Sequence, residues 1–294
     1  DEVTYMSAAR ERFRDAISKD TCTLASNIFY PLSARIAHML DYEICVLSGS
    51  VGKVANLGVP DIVMTNMSDV VDHCRRITRM VDTSLMVDAE DGFGNAVNVT
   101  RTVREMEAAG VAAIEIEDNF VPSRFNVQDP GLVSKEEQEG KLRAAVAART
   151  DLSTFIVARS AAFGLCPIDE AIDRLTTYSQ TGAEGVMLTG VKSREQIEAA
   201  HSATSLPIFI LNPPLDARND PDFLAANGIR ILMLGNPTFA AAVKSIYDTL
   251  KYLKEGTPME NLSNQLAPIE LLKAVNRTDA VSYTHLTLPT NREV

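Results

Sequence analysis

Histidine and cysteine are scarce in this chain, with four of each among 294 residues. Cys22, Cys45, Cys74 and Cys166 are scattered and form no C-x-x-C pair, which argues against a structural zinc site or a disulfide framework and leaves most of them as core residues. His38 and His73 fall in helical stretches, His201 near a helix end and His285 in the tail. None stands at a strand end, where a serine-histidine-acid triad would need it. Basic charge is also short. A net charge of −11 leaves no basic face for a phosphate backbone and argues against nucleic acid as a partner. No apolar run approaches the roughly 18 residues of a membrane span, and the first residues lack the basic-plus-apolar pattern of a signal peptide. The expectation is a cytoplasmic protein with no membrane partner.

The chain does hold ample material for a core, with 46% hydrophobic residues. Short β-rich apolar runs alternate with amphipathic helical patterns from end to end. Strand candidates lie at 22–28, 43–48, 84–88, 112–117, 154–159, 185–189, 207–212 and 229–235, and helical segments include 95–109, 134–149, 168–181 and 237–254. Gly110, Gly182 and Gly228 punctuate helix ends immediately before the next strand. Such repeated alternation predicts an α/β fold, a (β/α)8 TIM barrel, with a C-terminal helical extension. The expected organisation is a barrel over 1–256, the extension over 257–280 and a non-native tail over 281–294, which breaks the preceding pattern and resembles vector read-through.

Carboxylates collect at the ends of the strands. Leu85-Met86-Val87-Asp88-Ala89-Glu90-Asp91-Gly92-Phe93-Gly94-Asn95 is an apolar strand that ends in acids and then a glycine turn. Asp88 and Glu90 are two residues apart, the spacing that points strand side chains the same way, and hard oxygen ligands at that spacing suit Mg2+. The pattern recurs in Ile114-Glu115-Ile116-Glu117-Asp118, Val46-Leu47-Ser48-Gly49-Ser50 ends another strand in small residues, and Asp61 follows in the next loop. Polar groups at successive strand ends are what an α/β enzyme site looks like in sequence. The stretch from Asn119 to Leu132 is long for a strand-to-helix loop and is expected to be a lid.

These motifs, with Pro31-Leu32-Ser33-Ala34-Arg35 and Val157-Ala158-Arg159-Ser160, resemble the isocitrate lyase/phosphoenolpyruvate mutase superfamily over roughly residues 10–255. The resemblance implies a barrel with Mg2+, or Mn2+, at its C-terminal rim, α-keto or α-hydroxy carboxylate substrates, and a homotetramer. Asp61, Asp88 and Glu117 match family acids that hold the metal directly or through water, and Glu90 stands where the family typically has aspartate. Arg159 matches the arginine that clamps the substrate carboxylate, a task suited to a planar bidentate fork. Ser48, Gly49 and Ser50 match the turn that meets the substrate's anionic end. Asn236, in the Gly235-Asn236 pair after the last strand, joins the expected substrate-binding residues, and Arg159, Asp61 and Glu117 are the expected catalytic set.

The lid separates branches of the superfamily. Isocitrate lyases carry a Lys-Lys-Cys-Gly-His-type loop, and phosphoenolpyruvate mutases and phosphonopyruvate hydrolases a Pro-Lys-x-Asn pattern; this chain has Pro122-Ser123-Arg124-Phe125-Asn126. The run Glu117 to Phe125 looks most like the oxaloacetate decarboxylase branch. The resemblance therefore implies a Mg-dependent lyase that takes oxaloacetate, a small dicarboxylate, to pyruvate and CO2 through a metal-stabilised enolate. A carbon–carbon lyase on a substituted malate, a phosphonopyruvate hydrolase, a phosphoenolpyruvate mutase and a near-inactive carboxylate-binding member are the alternatives.

Overall fold

The computed structural model describes residues 2–61, 65–122 and 131–277, the first six of these by backbone alone. The chain opens with helix α1 (Glu2–Ser18), and the expected strand at 22–28 follows as two segments, β1 (Thr23–Leu24) and β2 (Ser26–Ile28). It divides at Ala25 because its two halves pair with different neighbours. Next come α2 (Pro31–Met39), β3 (Ile44–Leu47), α3 (Gly49–Leu57), α4 (Met67–Thr78), β4 (Ser84–Asp88), α5 (Ala96–Ala108), β5 (Ala113–Glu117) and α6 (Lys135–Ala148). The order continues with β6 (Phe155–Ser160), α7 (Ala162–Leu165), α8 (Ile168–Ser179), β7 (Gly185–Leu188), α9 (Arg194–Ala203) and β8 (Ile208–Leu211). After α10 (Leu215–Arg218) and α11 (Pro221–Ala226), β9 (Ile229–Met233) is the last strand.

All pairings between these strands are parallel. The order is β1-β9-β8-β7-β6-β5-β4-β3-β2, and since β1 and β2 are consecutive halves of one passage, the sheet returns on itself. This is the (β/α)8 barrel read from the alternation, with α1 added before the first strand. Helix starts follow their capping chemistry: the Asn95 side chain accepts from Val97 N–H, and Ser134 accepts from Glu137 N–H. Gly110, Gly182 and Gly228 all have positive φ, at 78°, 93° and 73°, the left-handed turn a helix needs before it reverses into a strand.

Each strand divides its side chains between two cores. Outward residues such as Leu85, Val87, Ile114, Ile116, Ile156 and Val186 are buried beneath the helices with Cys74, Val103, Met106, Leu142 and Leu175. Inward residues fill the barrel, and at its N-terminal end Phe13 of α1 meets Phe155 and Phe209 with ring centroids 5.4 and 6.2 Å away. A Cβ on Gly185 would lie 2.8 Å from the Phe155 ring, so this aromatic plug requires glycine there. Arg10 moors α1 from below, its guanidinium donating to the carbonyls of Val111 and Glu107.

The chain forms two compact units, Asp1–Pro237 and Thr238–Val294. The second holds most of α12 (Pro237–Lys254), a 3-10 turn at Met259–Gln265 and α13 (Ile269–Asn276). On α12, Val243, Ile246, Tyr247, Leu250 and Leu253 are exposed at a spacing that aligns them on one helical face. Residues 281–294, expected as a non-native tail, lie outside the described residues. Among the described residues no helix is long and apolar enough to cross a membrane.

Candidate active site

The inward alternation that builds the plug turns to charge at the opposite end. Along β4 the inward residues are Ser84, Met86 and Asp88; along β5, Ala113, Glu115 and Glu117; along β6, Phe155, Val157 and Arg159. The pairing register sets Asp88 beside Glu115, and Glu117 beside Arg159. The Arg159 guanidinium therefore sits among carboxylates: Nη1 donates to Asp88 Oδ2 at 2.7 Å and to Glu115 Oε1 at 3.2 Å, and Nε lies 3.1 Å from Glu117 Oε2. Asn119 Nδ2 donates to the same Glu117 oxygen at 3.0 Å.

Glu90 reaches this rim by a turn. It lies beyond the end of β4 with φ at 52°, and its N–H donates to Asp88 Oδ1 at 2.9 Å, which folds the two carboxylates together. A Cβ added to Gly49 would come within 2.7 Å of both Asp88 Oδ2 and Glu90 Oε1, so the glycine at the start of α3 is what lets them approach. One helical turn further on, Lys53 Nζ lies 2.5 Å from Glu90 Oε1 and 3.0 Å from Asp61 Oδ1. The next acid, Asp91, faces elsewhere, toward Lys141 Nζ of α6 at 3.3 Å. Asp118 points outward from β5 and is fully buried, accepting from Ser160 Oγ at 2.8 Å and Tyr178 OH at 3.0 Å, a tie between strand and helix layers.

Among the described residues the opposite wall is uncharged. Ser48 Oγ and Ser50 Oγ are 3.4 Å apart, Asn236 Nδ2 donates to Ser50 Oγ at 3.4 Å, and Asn27 Nδ2 donates to Asn236 Oδ1 at 3.4 Å. Asn212 Oδ1 accepts from Gly235 N–H at 2.7 Å, which supports the same loop.

A cavity of about 570 Å³ joins the two walls. Of the expected site residues, Ser48, Ser50, Asp61, Asp88, Glu90, Glu117, Arg159 and Asn236 line it, and Gly49 stands behind the Asp88–Glu90 pair. Lys53, Glu115, Asn27 and Asn212 line it too and were not singled out from sequence. Met187, Leu211 and Met233 form an apolar floor. Val121 and Pro122 of the expected lid also face it, and the lid's base is fastened by an antiparallel bridge between Asn119 and Leu132. Residues 123–130 of that lid, including Ser123, Arg124, Phe125 and Asn126, lie outside the described residues.

Among the described residues, five carboxylates thus face two cations. Burial, then the charge of Asp88, pushes Glu90 up to about 8, and burial with Asp88 and Glu117 nearby does the same for Glu115. Glu117 rises to about 7, again through burial first and then Asp88 and Asp118. Burial would raise Asp88 as well, but Arg159 and the Glu90 N–H outweigh it and hold Asp88 below the usual carboxylate range.

This donor set fits a divalent cation. Its charge is unbalanced, its ligands are hard oxygens, and Glu115 Oε2 is buried with no hydrogen-bond partner among the described residues. Among the described residues no three acids, histidines or cysteines close around one point. Mg2+ does not require that, since it keeps several waters and is typically held by one or two carboxylates together with substrate oxygens.

A barrel that gathers acids, an arginine and a polar turn at the C-terminal ends of its strands belongs to the class of (β/α)8 enzymes. The phosphoenolpyruvate phosphomutase family model matches residues 13–254, and the chain belongs to that family. It is 39% identical over 272 residues to the oxaloacetate decarboxylase of Rhodopseudomonas palustris (strain BisA53), covering 92% of this chain and 93% of that relative. A phosphonopyruvate hydrolase solved with oxalate and Mg2+ superposes with a TM-score of 0.83 at 26% identity, covering 95% of this chain and 98% of that one. An oxaloacetate acetylhydrolase solved with 3,3-difluorooxalacetate gives a TM-score of 0.82 at 26% identity, covering 95% and 97%.

Proposed function

We propose that this chain is a metal-dependent carboxy-lyase that converts oxaloacetate to pyruvate and CO2. The observation that carries the reading is the convergence of Asp88, Glu90 and Glu117 with Arg159 and the Ser48–Ser50 turn on one cavity, in a chain 39% identical to an oxaloacetate decarboxylase. Breaking the bond to the departing carboxylate leaves an electron pair on carbon, which moves into the neighbouring carbonyl to give an enolate; a proton added to that carbon completes pyruvate. Asp88, Glu90, Glu117 and Asp61 would hold a Mg2+ or Mn2+ ion, which when bound would supply Lewis-acid stabilisation of the developing enolate.

The remaining work belongs to the side chains. Arg159, fixed by three carboxylates, offers a preorganised cation to a substrate carboxylate. The Ser48–Gly49–Ser50 turn opens α3, so hydroxyls and helix N-terminal N–H groups meet the other carboxylate, and Asn236 holds Ser50 in place. Met187, Leu211 and Met233 keep the floor dry, which strengthens these interactions. The protein is further read as cytoplasmic and as a homotetramer, the exposed apolar stripe of α12 being the surface that favours self-association.

The test is CO2 release from oxaloacetate with Mg2+, compared with a metal-only blank and with Asp88→Ala, which is expected to bind no metal by calorimetry and to match the blank. Oxalate, a planar mimic of the enolate, is expected to inhibit. The acetylhydrolase and phosphonopyruvate hydrolase likenesses favour a second reading, cleavage of the same or a related keto acid by water. If wild type matches the blank with oxaloacetate decarboxylation yet forms oxalate, or consumes phosphonopyruvate or dimethylmalate, the decarboxylase reading falls. If it binds dicarboxylate and turns over none of them, it is a binding protein.

A further inference from the structure

Among the described residues, Lys53 is the one cation of the cavity that the proposed chemistry leaves without a task. Its side chain is 3% exposed, and its ammonium bridges Glu90 on one side and Asp61 on the other. The bridge follows from helix geometry. Gly49 and Lys53 are one turn apart on the same face of α3, so where the glycine makes room for Asp88 and Glu90, the lysine arrives alongside Glu90. The pair is well shielded from water, with Glu90 only 6% exposed, whereas the Asp61 side chain at the rim is 55% exposed.

A metal ion and this ammonium call on the same oxygens. With Nζ 2.5 Å from Glu90 Oε1 and a metal bond of about 2.1 Å, two cations sharing that oxygen would stand within about 4.6 Å in a poorly screened site. One must give way. Arg159 is gripped by three carboxylates through a rigid fork, while Lys53 is a point charge on a flexible four-carbon stem. We propose that Lys53 is an internal competitor of the divalent ion: its ammonium occupies the Glu90 and Asp61 oxygens when the ion is absent, withdraws from Glu90 when it binds, and so sets the metal affinity of the site. This inference rests on the reading of the cavity as a metal site. It makes Lys53 a positioning residue, which acts through the carboxylates it holds.

The experiment is calorimetric titration of the substrate-free protein with MnCl2, paired with thermal unfolding with and without Mn2+. Lys53→Met, close in length and uncharged, is expected to bind Mn2+ tenfold or more tightly than wild type, to melt lower without metal, and to gain more from Mn2+. Lys53→Arg, which keeps the charge, is expected to stay within about threefold of wild type. In a Glu90→Gln background the gain from Lys53→Met is expected to shrink below about threefold, because the contested carboxylate is gone. An undiminished gain there would mean a through-space charge effect and overturn direct competition, as would a folded Lys53→Met protein that binds Mn2+ no better than wild type. If Lys53→Met does not fold without metal, Lys53→Gln carries the same comparison. Should wild type bind no Mn2+ while Lys53→Met does, competition stands and the metal-dependent reading of the native enzyme fails; should neither bind, both fail.

Discussion

The two ends of the barrel interior are made by the same strands, four residues apart, and they do opposite things. On β6 the inward residue is Phe155 at one end and Arg159 at the other; on β5 it is Ala113 and then Glu117. At the N-terminal end the rings of Phe13, Phe155 and Phe209 exclude water and have no polar group to satisfy. At the C-terminal end, among the described residues, Asp88, Glu90, Glu115, Glu117 and Lys53 are buried and Arg159 mostly so, Asp61 stands half exposed at the rim, and every neutralising contact is shared. The first end contributes folding free energy, at about 1.5–3 kcal/mol for each fully buried apolar side chain. The second draws on it, because buried unbalanced charge is unfavourable whatever its later use. The difference separates stability from chemistry along the barrel axis.

The largest effect on stability should come from the plug. Phe13→Ala removes a fully buried ring and is expected to lower unfolding free energy by about 3–5 kcal/mol in urea titrations, while kcat/KM of the protein still folded stays close to wild type. A collapse of activity at unchanged stability would erase the distinction between the ends. Arg159→Lys tests the other end. An ammonium cannot reproduce the Nε and Nη1 contacts to three acids, and losing one charged hydrogen bond costs about 1.5–3 kcal/mol, so catalytic efficiency should fall tenfold or more. Wild-type kinetics from that variant would show that Arg159 serves only the ion-pair network.

The barrel was legible because its signals are local and repeated: short β-rich apolar runs, amphipathic helical patterns between them, and glycines at 110, 182 and 228 that all proved to have positive φ. Asp88 and Glu117 were legible for the same reason, as carboxylates ending strands. Glu115 was hidden inside an acidic run, although alternation alone puts it on the face of Glu117 and sends Asp118 outward. Lys53 was hidden differently. A lone lysine on a helix reads as solvated, and its one distinguishing mark is that no other charged residue occurs between Glu43 and Asp61. Asn27 and Asn212 have no such mark, because their place at the cavity depends on which strands become neighbours when the sheet closes. The division of the first strand at Ala25 is equally a property of closure, which no window of sequence contains.

The smallest expected effect is a pH slope that belongs to the charged end alone. Glu90 and Glu115 at about 8 and Glu117 at about 7 sit above the ordinary value of 4.5, so at intermediate pH the folded, metal-free protein holds protons that the unfolded chain has released. The stabilisation from these protons is complete below about 4.5 and is lost as pH rises through 7 to 8. His73, which burial and Arg76 push down to about 4, works in the opposite sense, but its window closes near 6.5. Between pH 6.5 and 8 the glutamates therefore act without that opposition, and the Tm of metal-free protein is expected to fall by a few degrees. Saturating Mn2+ favours the ionised carboxylates and should flatten or reverse the slope. Calorimetric scans across that range, with and without Mn2+, make the comparison; a metal-free Tm that holds constant or rises would mean that the acids of the rim are already neutralised within the fold, and that the two ends of the barrel differ less in their electrostatics than their residues suggest.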